Sequence, residues 1–126
     1  MPAHESLFTK AARRHVRRLA QVIAPASPGL ERKFLALLRK RRYGEVERRA
    51  LMAISPCAVA RLGSIEKFID QVDYNGRRLA KCNLSPEAAG QVLRQFDELL
   101  EPLLKGRFGP SLEQLQWATL LALERA

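Results

Sequence analysis

Cysteine is scarce in this chain: Cys57 and Cys82 are the only two, and neither lies in a Cys-x-x-Cys pair or beside a histidine. They fit neither a disulfide framework nor a zinc module, so a reducing, cytoplasmic setting is expected. Histidine is equally scarce, with His4 and His15 eleven positions apart and no acidic partner at helical spacing, which argues against a metal site. Long apolar runs are missing as well. The longest, Trp117 to Leu123, is interrupted by Thr119 and falls far short of the roughly 20 residues that cross a bilayer, so no membrane span is expected. The opening Met1-Pro2-Ala3-His4-Glu5 has no apolar core followed by a small-residue cleavage site, and a secretory leader is not expected. Finally, no stretch alternates with the period of two that a half-buried strand needs, so strands are not expected.

What the chain does contain suits one globular domain over residues 1–126, with 47% apolar and 28% charged residues. The net charge is +9, and its distribution is uneven. Lys10 to Arg49 holds thirteen basic against three acidic residues, whereas Ala50 to Ala126 holds nine of each. Such an excess fits a solvated helix face or a contact with an anionic partner: nucleic acid, a membrane surface or an acidic protein. Arg13, Arg17, Arg32, Arg39 and Arg42 are the candidate phosphate-binding residues.

Apolar residues recur at helical spacing throughout, predicting an all-α bundle of about six helices. Phe8, Ala12, Val16, Leu19 and Ile23 form one stripe from about Ser6, ending before Pro25. Ser27-Pro28 supplies an N-cap and a first-turn proline for a helix with Leu30, Phe34, Leu37 and Leu38 inward, closed by Tyr43-Gly44. The next helix, from Glu45, turns Val46, Ala50, Leu51 and Ile54 inward, and Ser55-Pro56 separates it from a short segment through Leu62. From Ser64 to Lys81 the stripe is Ile65, Phe68, Ile69, Val72, Leu79 and Ala80, with Gly76 marking a close approach or a break. Ser85-Pro86-Glu87 opens a helix carrying Ala89, Val92, Leu93, Phe96, Leu99 and Leu100, which Pro102 should kink or end. Ser111-Leu112-Glu113-Gln114 has the form of a capping box for the last helix. That helix is apolar around most of its circumference and needs contacts on several sides. It shows no stop signal before Ala126, so the natural protein is expected to continue.

Catalysis requires groups within hydrogen-bond reach, one oriented by another. His15 lies beside an apolar stripe, and Ser27, Ser55, Ser85 and Ser111 stand where helices start, so capping accounts for them. No Gly-x-Ser-x-Gly elbow or phosphate-cradling glycine loop occurs. No enzyme activity, cofactor or metal is expected. A helix-turn-helix reading of Leu30 to Arg42 followed by the helix from Glu45 places Glu45 and Glu47 where a recognition helix meets phosphates, which repels DNA there. Phosphate binding without base readout through the five arginines stays open.

The second half carries a resemblance. A long helix ending Tyr74-Asn75-Gly76-Arg77-Arg78-Leu79-Ala80, the Ser85-Pro86-Glu87 restart, a Leu-rich helix to Leu104 and a Trp-containing last helix together resemble globin-like domains. The likeness is to those found without haem at the N-terminus of bacterial signalling proteins, such as stressosome sensors and some sensor histidine kinases. The resemblance implies a non-enzymatic sensory domain and a homodimer. It also implies a downstream signalling module in the same chain, and an output helix in which Trp117, Leu120, Leu121 and Leu123 meet a partner. No histidine follows His15, so the proximal ligand of haem globins is missing. Arg77-Arg78-Leu79-Ala80-Lys81-Cys82 is similar to the bilin-bearing stretch of phycobiliproteins, which would make Cys82 a pigment attachment point, although Ser85 replaces that family's aspartate. Three readings follow: a sensory domain, a basic nucleic-acid-binding module, and a bilin-binding domain.

Overall fold

The computed structural model describes residues 10–125, except the side chains of Ala11, Ala12, Pro110, Ser111, Gln114, Trp117 and Arg125. The proposed start at Ser6, with Phe8 and Ala12 on its stripe, therefore lies outside what is described. Among the described residues the chain forms seven α-helices and one short 3-10 turn, and no strand. The helices are α1 (Lys10–Ile23), α2 (Ser27–Lys40), α3 (Glu45–Ala53), α4 (Pro56–Leu62), α5 (Ile65–Lys81), α6 (Pro86–Leu104) and α7 (Gly109–Arg125). The segment expected between Pro56 and Leu62 is thus a helix in its own right.

Helix α5 runs through the middle, packed on α3, α4 and α7, while α7 also rests against α6 and α1. Helix α2 spans from α3 to α6, and α1 lies on α4. The apolar stripes meet in one core. Phe34 of α2 and Phe96 of α6, both fully buried, pack edge to face with ring centroids 5.0 Å apart. Gly76 is buried within an unbroken α5, so it marks packing and not a break. Beside it, Asn75 is buried but satisfied, its amide nitrogen donating to the Gln71 carbonyl at 2.9 Å.

Two stripe residues face water. Val46 is 46% exposed, and Ala80 is exposed too. At about 100° per residue, each stands at the edge of its helix's buried arc and near a helix end, where the neighbouring helix no longer covers it.

The expected serine caps divide into two groups. Ser85 caps as expected, accepting a hydrogen bond from the backbone N–H of Ala88 at 3.1 Å, and Ser64 does the same for Lys67 at 3.1 Å. Ser27 does not cap: it is already helical, because the 3-10 turn Ala24–Ala26 carries the chain from α1 into α2 without an extended residue. Its hydroxyl donates back to the Ile23 carbonyl at 3.2 Å, and that of buried Ser55 donates to the Met52 carbonyl at 3.3 Å. The capping box at Ser111 and Gln114 falls on side chains that are not described, and α7 begins earlier, at Gly109. Pro102 lies inside α6, which ends two residues later at Leu104.

Helix α2 ends in an unexpected way. The residue in the left-handed conformation is Arg42, with φ of 64°, and not Gly44, whose φ is −70°. The Tyr43 N–H bonds to the Leu38 carbonyl and the Arg42 N–H to the Arg39 carbonyl, the Schellman pattern that usually places glycine at this position. An arginine there carries a Cβ penalty of about 1–2 kcal/mol. Arg42→Gly is therefore expected to raise stability by about 0.5–1 kcal/mol in chemical denaturation, the extra flexibility of glycine in the unfolded chain offsetting part of the gain.

Candidate functional site

Helix α6 turns Gly90, Leu93, Arg94 and Asp97 towards α7, the spacing that places residues on one face. Helix α7 answers with Leu112, Gln116, Thr119 and Leu120. The two stripes do not close on each other, and a half-open cavity of about 240 Å³ lies between them. Ile54, Pro56 and Phe68 form its inner, apolar end. Gly90 contributes to this space: a Cβ built there would stand 3.6 Å from a methyl group of Leu120, in ordinary contact.

Asp97 is the chemically distinctive group in this wall. It follows Phe96 at the edge of the buried arc, and its single methylene is too short to carry the carboxyl out to water as a lysine or arginine stem does. One carboxylate oxygen, Oδ2, accepts a hydrogen bond from the side-chain amide of Gln116 on α7, while Oδ1 is buried without a hydrogen-bond partner. Burial pushes the carboxyl from 3.8 up to about 7, against the opposing effects of the Gln116 bond and the Arg94 charge. Asp97 therefore titrates near neutrality at the contact between α6 and α7. The other ionisable residues of the lining are Arg94 and Glu113, both exposed, and the residues from α3 to α5 contribute none.

A second cavity, of about 280 Å³, lies where α1 crosses α4 and the start of α5. Arg13 and Glu66 form an ion pair across it, and Arg17 lines it from the solvent side. Arg13 is thus partly neutralised and about two-thirds buried, unlike Arg17, Arg32, Arg39 and Arg42, which are exposed.

On α7, Leu123 is buried at 3% exposure, so a partner reaches it only if α7 leaves its seat. Leu120 and Leu121 are partly exposed, and the Trp117 side chain lies outside the described residues. Cys82 is partly buried at the C-terminal end of α5 and lines neither cavity, and Ser85, near it in sequence, is engaged as the α6 cap. Arg78 stacks over Tyr74, 5.8 Å from the ring centroid. Cys57 is buried, and burial raises its thiol above the ordinary range, which keeps it protonated and unreactive. His15 is exposed on α1. Among the described residues there is no cluster of three or more potential metal ligands and no helix long and apolar enough to cross a membrane.

Asp97 and its cavity escaped the reading of the sequence. The available signal was a carboxylate bordering the apolar stripe of α6 one turn after Leu93, next in projection to Gly90, and nothing in α6 alone reveals that α7 covers that edge.

The chain matches no family model, no curated protein and no solved structure.

Proposed function

We propose that this is a non-enzymatic regulatory domain of sensory type, in which α7 transmits a change made at its contact with α6. One observation carries the reading: a cavity directly beneath the last helix, with a carboxyl that titrates near pH 7 hydrogen-bonded to that helix. A transmitting element needs two seats that differ by a few kcal/mol and a local event that favours one. Loss of the Asp97 proton is such an event, because it leaves a charge in an apolar wall with one oxygen unpaired. Filling the cavity is another. The globin-like resemblance of the second half points the same way, as does its expectation of a homodimer and a signalling module beyond α7. With Leu123 in the core, Leu120 and Leu121 are, among the described side chains of the expected output set, those left for a second copy.

The test is amide exchange resolved by helix. After correction for the intrinsic pH dependence of exchange, the amides of Leu115, Ala118 and Ala122 are expected to lose protection between pH 5.5 and 8.5 relative to those of α2. Asp97→Asn should remove that difference. Equal behaviour of α7 and α2 at both pH values, in the native chain, would rule the mechanism out.

A further inference from the structure

Helices α1 and α2 carry basic solvent faces that this regulatory reading does not use. From Lys10 to Arg42 ten basic side chains are exposed: Lys10, Arg14, Arg17 and Arg18 on α1, and Arg32, Lys33, Arg39, Lys40, Arg41 and Arg42 on α2 and its end. Over the same span no acidic side chain is exposed, since Glu31, the one acid there, is partly buried and held by Arg61 of α4 at 3.2 Å. The opposite face of each helix is taken up by the core through Val16, Leu19 and Ile23 on α1 and Leu30, Phe34 and Leu38 on α2. The basic residues are therefore fixed to rigid elements.

We infer that the solvent faces of α1 and α2 bind the phosphate backbone of a nucleic acid, without reading base sequence. Each helix has fourteen residues, about 21 Å at about 1.5 Å per residue, and duplex DNA presents one negative charge per roughly 1.7 Å of axis. Along each helix the exposed basic residues lie roughly two to three times farther apart than the duplex charges, close enough for several to meet phosphates at once. Seven of the ten exposed basic residues are arginine, whose planar fork pairs with phosphate oxygens two at a time. An anionic membrane is the poorer match, because a bilayer-binding helix offers an apolar face to the lipid and here both apolar faces are inside the molecule. A protein partner is also poorer. Protein interfaces centre on apolar and aromatic anchors, and the large exposed hydrophobic residues among those described, Val46 and Tyr74, stand on α3 and α5. Base readout is not part of the inference, since the α3 start carries Glu45 and Glu47.

The experiment is fluorescence anisotropy of a labelled 20-base-pair duplex of arbitrary sequence with the full chain. Binding is expected at 50 mM salt and should weaken by about 1,000-fold at 200 mM if some six phosphates are engaged. A second duplex of unrelated sequence should bind within about threefold, as a contact with phosphates alone requires. The combined variant Arg14→Gln, Arg17→Gln, Arg18→Gln, Arg32→Gln and Arg39→Gln should lose at least tenfold in affinity at 50 mM and show a shallower salt dependence. These side chains are exposed, so an unchanged circular dichroism melt is expected; if the combined variant misfolds, Arg32→Gln with Arg39→Gln is the smaller form of the same test. Replacing the five arginines with lysine keeps the charge and should retain most of the binding. No binding at 50 mM, or an unaltered salt slope in the glutamine variants, overturns the inference. Capture by phosphatidylserine vesicles without capture by the duplex overturns it in favour of a membrane.

Discussion

At pH 8 the Asp97→Asn protein is expected to be more stable than the native chain, and at pH 4 the two should be nearly equal. The native carboxyl titrates near 7, whereas in the unfolded chain it returns to 3.8. Between those values the folded protein holds a proton that the unfolded chain has released, so stability falls as pH rises through this window and stays low above it. The displacement sets a ceiling of about 4 kcal/mol, at about 1.4 kcal/mol for each factor of ten in proton affinity. Asparagine carries no charge to bury and still offers an oxygen to the Gln116 amide, so its curve should lack this fall. A gain of about 1–3 kcal/mol at pH 8 is the expected size, given relaxation around the site. The measurement is urea unfolding at one-unit steps from pH 4 to pH 8. Parallel curves for the two proteins would show that Asp97 is solvated and that the α6 to α7 contact is insensitive to protons.

A larger loss is expected from Phe96→Ala. The ring is fully buried in contact with Phe34, and its removal leaves a void between α2 and α6 that the surrounding helices fill incompletely. Phenylalanine-to-alanine changes in such positions cost about 3–5 kcal/mol, a large share of a small domain's total stability of about 5–15 kcal/mol. Phe96→Leu should recover much of it. Chemical denaturation of both variants at pH 5, where Asp97 is mostly neutral, keeps the packing effect separate from the charge effect one residue away. A cost below about 1 kcal/mol would mean that α2 and α6 are not held together through these rings.

The helices were legible in the sequence because the physics that forms them is local. Leu30, Phe34 and Leu38 repeat at four-residue intervals, and Ser85 followed by Pro86 marks a helix start that needs no knowledge of the rest of the chain. Where local and tertiary demands differ, the reading fails. Ser27 stands before a proline in the way caps do, yet the 3-10 turn at Ala24–Ala26 already holds it in helical geometry. Gly44 was the natural candidate for the left-handed turn, but Leu38 and Tyr43 pair with each other and place that conformation two residues earlier, at Arg42. Leu123 and Leu121 are indistinguishable by type, and which of them is enclosed depends on how α1, α5 and α6 surround α7. The same holds for the candidate site. Asp97 becomes unusual when Gln116, nineteen positions later, is laid across it.

The seat of α7 also bears on how the chain acquires its structure. Helices α1 and α7 touch each other although the rest of the sequence separates them, and α5 and α6 complete the same groove. A ribosome delivers α1 long before α7, and α6 only a few residues before it. Until α7 arrives, part of the apolar face of α1 and α5 stays uncovered, sticky to chaperones and to other nascent chains. The contacts between α1 and α7 span the longest loops among the described helices, so their formation is expected to be the slow step of folding.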